Sequence, residues 1–315
     1  MIWLTWRQHR IEALIGILLL AALCIVLIPD GFTMYSLYHA LNMATCSPQD
    51  PCSQAFPMRT LGLASTIADY LQPWLALLIG VFIGAPLVAR EREHRTHYLV
   101  WLQSTTRGHW LAVKLGLIAV FTLLAFGALS LLTTWWGEPL SATMGPWFLY
   151  DVRGFMLPAY ALFGLMLGVA VGTFTRRTVL AMAFTFVIFF VVFTVMHFTY
   201  PYLVPPLSRT FALSTNRDTR WGGPTDLVLY AGYADSEGHE TGEISTYCGF
   251  QRTLADPDYG TLADRCIKDH HLQWKIVYQP AERFWLLQAV EATILCVLAV
   301  LLVPLSFWRL RRQRN

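Results

Sequence analysis

The chain has 315 residues, 55% of them hydrophobic and only 14% charged, with a formal net charge of +3 and a mean hydropathy of +0.46. A water-soluble domain of this size carries about 25% charged residues, so a soluble globular protein is excluded. The small basic excess is spread along the chain, which also excludes a nucleic-acid-binding surface.

Residues 1–10, Met-Ile-Trp-Leu-Thr-Trp-Arg-Gln-His-Arg, set Trp3 and Trp6 at helical spacing ahead of Arg7 and Arg10. This pattern predicts a short amphipathic helix lying in the interface before the first span. Six apolar runs reach the roughly 20 residues a helix needs to cross hydrocarbon: residues 11–29, 70–89, 111–134, 154–174, 178–198 and 284–305. The first is followed by Ile28-Pro29-Asp30-Gly31, with no small-x-small cleavage site, and so reads as an uncleaved anchor. The loop 30–69 has helical apolar spacing (Phe32, Tyr35, Tyr38, Leu41) and then a proline-rich turn between Cys46 and Cys52.

Gly80 and Gly84 punctuate the second run, as Gly164, Gly168 and Gly172 do the fourth. Small residues four apart let helices approach closely, either inside one subunit or across a dimer face. Between the second and third runs, residues 90–110 carry Arg90, Glu91, Arg92, Glu93, Arg95 and Thr96, then Tyr98, Leu99, Trp101 and Leu102 on a short amphipathic helix. A Ser/Thr break with Arg107 follows. Orientation needs only the bases; the alternating acids and the aromatics mark a docking surface for a cytoplasmic partner.

The fifth run is the most aromatic, with Phe184, Phe186, Phe189, Phe190 and Phe193. Residues 201–280 alone resemble a soluble unit, with strands expected over 227–233 and 274–278 and a helix over 261–270. Such a unit is marginal in size. Closing the loop between Cys248 and Cys266 would contribute on the order of 3 kcal/mol. In the sixth run Glu291, with Gln288 one turn before it, puts a carboxylate where insertion costs about 2.5–3.5 kcal/mol. It is either a gate on a polar path or a hydrogen-bonded tie to a neighbouring helix, with Arg283 or Arg153 as the expected partner.

Lys and Arg set the orientation. Arg7, Arg10, Arg90, Arg92, Arg95, Arg107, Lys114, Arg176, Arg177, Arg309, Arg311, Arg312 and Arg314 fall on one side, against Arg59 and Arg153 in the two short opposite loops. The positive-inside rule puts both termini in the cytoplasm. Cys46, Cys52, Cys248 and Cys266 then all fall outside, where paired thiols read as disulfides; four cysteines allow three connectivities. The expected fold is all-α with six transmembrane helices and a small disulfide-stapled α/β extracytoplasmic cap. Its parts are 1–198 (interfacial helix, five spans and the loop 90–110), 199–283 (the cap) and 284–315 (last span and basic tail).

No phosphate-binding loop, no Gly-x-Ser-x-Gly and no His-Glu-x-x-His occurs in the sequence. The interfacial start, six spans, acidic-basic exit from span two and insertion before span six together resemble an ABC-type-2 exporter permease. Within that family the chain is most similar to bacterial permeases that begin as residues 3–10 do and share the stretch 278–291, Tyr-Gln-Pro-Ala-Glu-Arg-Phe-Trp-Leu-Leu-Gln-Ala-Val-Glu. The resemblance implies that the loop 90–110 couples to a separate ABC ATPase, two copies per complex. That partner would carry ATP and magnesium, while this chain binds no cofactor or metal and is not an enzyme. It implies a second permease subunit, as a homodimer, in a bacterial cell membrane. It also implies a substrate path lined by spans two and five, with Phe82, Phe186, Phe189, Phe190, Phe193, Gln288 and Glu291 as path or gate residues. Arg95 departs from the glycine that many relatives have before Thr96. Two other readings stay open: an antibiotic-sensing permease without bulk transport, and an intramembrane lipid-modifying enzyme. The latter would need a polar cluster at one depth, of which the sequence offers only Glu291.

Overall fold

A computed structural model describes residues 2–43, 62–68, 72–93, 107–175, 177–211, 225–250 and 258–312. Among them six helices are long and apolar enough to cross a membrane: Leu14–Ala40, Pro73–Arg90, Leu111–Trp136, Pro146–Phe174, Thr178–Tyr202 and Ala281–Arg309. Six crossings would return both termini to one face, called here the terminal face, and would leave the unit inserted between spans five and six on the other.

The first helix corrects the sequence reading. It runs unbroken over Ile2–Ala40, about 58 Å at 1.5 Å per residue, so there is no separate interfacial helix ahead of the span. It also continues through Pro29, where a proline costs one intrahelical hydrogen bond. Just beyond it the helix is tied to the end of span three. Trp136 Nε1 donates to Asp30 Oδ2 (2.8 Å), and Tyr35 donates to Glu138 Oε2 (2.9 Å) and stacks on Trp135.

Span two is helical over Gln72–Leu78, widens to a π-helix over Ile79–Gly84, and resumes as Ala85–Glu93. The Ala85 N–H reaches back to the Gly80 carbonyl, five residues away. Pro86 explains the widening, because in a regular helix its ring would collide with the carbonyl four residues earlier.

Span four (Met156–Phe174 in its α-helical part) is the hub, packed by spans two, three, five and six. Against span two the contact is backbone on backbone. A Cβ on Gly80 would stand 2.5 Å from the Gly164 carbonyl oxygen, one on Gly84 2.6 Å from that of Leu165, and one on Gly172 2.6 Å from that of Ala85. Gly168 lies directly against the Gly80 carbonyl and the Ala85 nitrogen. Of the two alternatives for these glycines, close packing within one subunit is the one realised.

The inserted unit is a four-stranded antiparallel sheet of order β1-β4-β2-β3, with β1 Leu207–Phe211, β2 Leu227–Ala234, β3 Glu240–Gly242 and β4 Gln273–Gln279. The expected strands and helix are there, the helix as Tyr259–Asp269; β1 and β3 were not foreseen. Cys248 and Cys266 are joined as a disulfide, within a small apolar core of Ile244, Ala263 and Leu272. Between β2 and β3 the His239 N–H, then that of Glu237, donates to Asp235 Oδ1 and lowers the pKa of that carboxyl. The unit is moored to the bundle. Gln279 Nε2 donates to the carbonyls of Pro201 (2.8 Å) and Val204 (2.6 Å), and Trp147 Nε1 to that of Thr225 (3.0 Å).

Candidate functional site

Three places carry the residues singled out by sequence. The first is the terminal-face exit of span two. Arg90 and Glu93 are exposed there, at the end of the helix Ala85–Glu93. Glu91, Arg92 and Arg107 lie in helices, though their side chains fall outside the described structure. Arg95, Thr96, Tyr98, Leu99, Trp101 and Leu102 lie outside the described residues altogether, as do Cys46 and Cys52. The informative contact is that of Glu93: its Oε2 accepts the backbone N–H of Thr178 at 2.9 Å. Thr178 opens the helix of span five. A helix start leaves its first N–H groups without intrahelical partners and favours negative charge, so the carboxylate of one span caps the next but two.

The second place is near the opposite end of the bundle. Glu291 and Gln288 are fully buried, two turns and one turn into the last helix from Phe284. Glu291 Oε1 accepts the Tyr160 hydroxyl at 2.7 Å. Gln288 is held on three sides, donating from Nε2 to the carbonyls of Tyr150 (2.9 Å) and Arg153 (3.1 Å) and accepting from the Phe155 N–H. Asp151 Oδ2 lies 2.8 Å from His197 Nδ1 at the end of span five. Neither arginine expected beside Glu291 is its partner. Arg283 donates to the Pro205 carbonyl, and Arg153 lies over the Phe284 ring. Among the described residues Asp151 Oδ1 is buried without a hydrogen bond, and the Tyr150 hydroxyl stands beside Glu291. Sequence reasoning found Glu291 and Gln288 but missed Tyr150, Asp151, Tyr160 and His197. Two of these, Tyr160 and His197, sit in runs whose apolar character hides a hydroxyl or an imidazole.

The third place is the aromatic face of span five. Phe184, Phe186 and Phe190 are exposed, as are Phe82 and Trp74 of span two; Trp74 stacks on Phe190 with centroids 6.0 Å apart. Phe189 points the other way, 1% exposed, against Tyr160 and Phe163 of span four. Phe193 bridges the two sets, touching Trp74 and Tyr160. The seven path residues therefore divide. Phe82, Phe186 and Phe190 share an outward face of spans two and five, while Phe189, Gln288 and Glu291 are packed inside the subunit.

A family model described as "ABC-2 membrane transporter related" matches residues 17–200, from the first span through the fifth. No curated protein and no solved structure matches the chain.

Proposed function

The chain belongs to the ABC-2 membrane transporter related family, and from that premise we propose that it is the permease subunit of an ATP-driven exporter. Its cargo is a lipophilic or amphipathic molecule, such as a drug, a lipid or a peptide antibiotic, moved out of a bacterial cell. The family implies an ABC ATPase as partner. In this reading two ATPase copies, carrying ATP and magnesium, sit on the terminal face. That face is cytoplasmic by its excess of arginine. A second copy of the chain meets the outward aromatics of spans two and five.

The observation that carries the reading is the bond from Glu93 to the Thr178 N–H. It joins the end of span two, where the loop 90–110 begins, to the foot of span five. A push on that loop reaches span five with no intermediary. At the far end His197 and Asp151 fasten the same helix to the connector before span four. Span five is thus gripped by polar contacts at both ends and by aromatic packing between, an arrangement suited to a rigid-body tilt between two states.

The buried polar cluster gives some support to a lipid-modifying enzyme. Against that reading, Glu291 is fully buried and no substrate reaches it without the helices parting. Mild detergent extraction, affinity purification and mass spectrometry test the proposal. A stoichiometric ABC ATPase is expected, lost on reversing the charges of Glu91 and Glu93; recovery of the chain alone under every mild extraction overturns it.

A further inference from the structure

The first span is held to the bundle mainly by span three, and between it and span two the structure leaves a narrow slot of about 270 Å³. Its walls are aliphatic apart from Phe121, Phe126 and Thr122: Gly16, Ile17 and Leu20 on span one, Ile79 and Ile83 on span two, Leu117 to Leu129 on span three. From Leu117 to Leu129 span three rises about 18 Å at 1.5 Å per residue, roughly the reach of one acyl chain. Gly16 opens straight into the slot, since a Cβ there would meet nothing within 4 Å.

The terminal-face end of the slot is charged. Arg10 stands seven residues before Ile17, and Arg90 seven residues after Ile83; both are exposed. Two helical turns return a residue to nearly the same face, so each arginine lies below its own wall, about 10 Å towards the terminal face. Lys114 lies one turn below Leu117 on span three. A chain-wide apolar slot ending in guanidinium groups at headgroup depth matches a phospholipid with an anionic head, which basic pockets between transmembrane helices recognise.

We infer that the slot is the seat of one anionic phospholipid from the terminal-face leaflet, its acyl chain between spans one and two and its phosphate at Arg10 and Arg90. The lipid completes a contact that the protein leaves open, because lipid tails are as apolar as the walls and give the two helices no reason to close on each other. The inference is independent of what the permease transports.

The test uses the full-length chain in mild detergent with two probes, dioleoyl phosphatidylglycerol and dioleoyl phosphatidylcholine. Wild-type protein should retain about one phosphatidylglycerol per chain through gel filtration and gain several degrees of Tm from it. Phosphatidylcholine should give little of either. Gly16→Trp, which fills the slot, should cut retention at least fivefold, whereas Gly116→Trp, whose Cβ is also unopposed but lies outside the slot, should retain it. Arg10→Gln with Arg90→Gln should abolish the preference between the two lipids. Equal stabilisation of wild type by both lipids overturns the inference without reference to any variant. So does undiminished retention in folded Gly16→Trp, or recovery of a bound molecule that is not a phospholipid.

Discussion

Spans four and five follow one another in the chain and are both strongly apolar, yet in an 18-residue apolar stretch of each 67% of the first is buried inside the subunit and only 17% of the second. Span five is the more hydrophobic of the two. Within a membrane, then, hydrophobicity does not draw a helix into the bundle, because lipid receives the same side chains equally well. Close approach does. Span four offers Gly164, Gly168 and Gly172 to Gly80, Gly84 and Ala85 of span two and becomes the fixed centre. Span five offers large rings, and most of them face away from its own subunit. One helix is built to stay and the other to move.

The sharpest way to break this contrast is to add volume on the side that is closed. Gly168→Val puts a side chain between two backbones, neither of which can retreat without parting spans two and four. Over-packing costs about 1–3 kcal/mol where side chains can shift; here it should exceed that and leave no folded protein by gel filtration. Gly116→Val, with open space around it, should accumulate like wild type.

Phe189→Ala comes next, since Phe189 is the ring that span five does commit to span four. In a water-soluble core the truncation would cost about 3–5 kcal/mol. In lipid the transfer part is largely absent, so the loss should be on the order of 2 kcal/mol, read as a fall in the midpoint of detergent-induced unfolding. Glu291 offers a smaller effect and separates structure from gating. Glu291→Gln keeps an acceptor for the Tyr160 hydroxyl and a polar amide beside the Tyr150 hydroxyl, so stability should hold. Glu291→Leu orphans the Tyr160 hydroxyl and should cost about 1–3 kcal/mol. Wild-type transport by a normally accumulating Glu291→Gln protein would remove Glu291 from any gate.

The spans themselves were legible in the sequence, because a run of apolar residues long enough to cross stands out. Most ends agree within a few residues, but the first span goes on to Ala40 where the run stopped at residue 29, and the fourth opens at Pro146 where the run began at residue 154. What the runs hid were their interruptions. The π-helix over Ile79–Gly84 answers to Pro86, whose presence predicts a kink but not its kind. The helix continues through Pro29, and its ties to Trp135 and Trp136 lie a hundred residues away in the chain. In the inserted unit β2, β4 and the helix showed their apolar pattern. β1 did not, since four of its five residues are exposed and only its pairing with β4 makes it a strand. The polar cluster was half legible: a carboxylate in an apolar run announces itself, while Tyr160 and His197 pass for ordinary members of theirs.

The smallest expected effect on stability bears most directly on function. Phe186 and Phe190 are 48% and 43% exposed, and removing either ring leaves little cavity in the isolated subunit. Phe186→Ala and Phe190→Ala should therefore unfold within about 0.5 kcal/mol of wild type, as surface changes do. If those rings meet a second copy or line a path, the same variants should lower the dimer fraction or the export rate severalfold while stability stands still. The Phe189→Ala variant would show the opposite order, stability falling first and transport following it. Parallel losses of stability at all three positions would mean that span five is packed as firmly as span four. The division between a fixed helix and a moving one would then have to be given up.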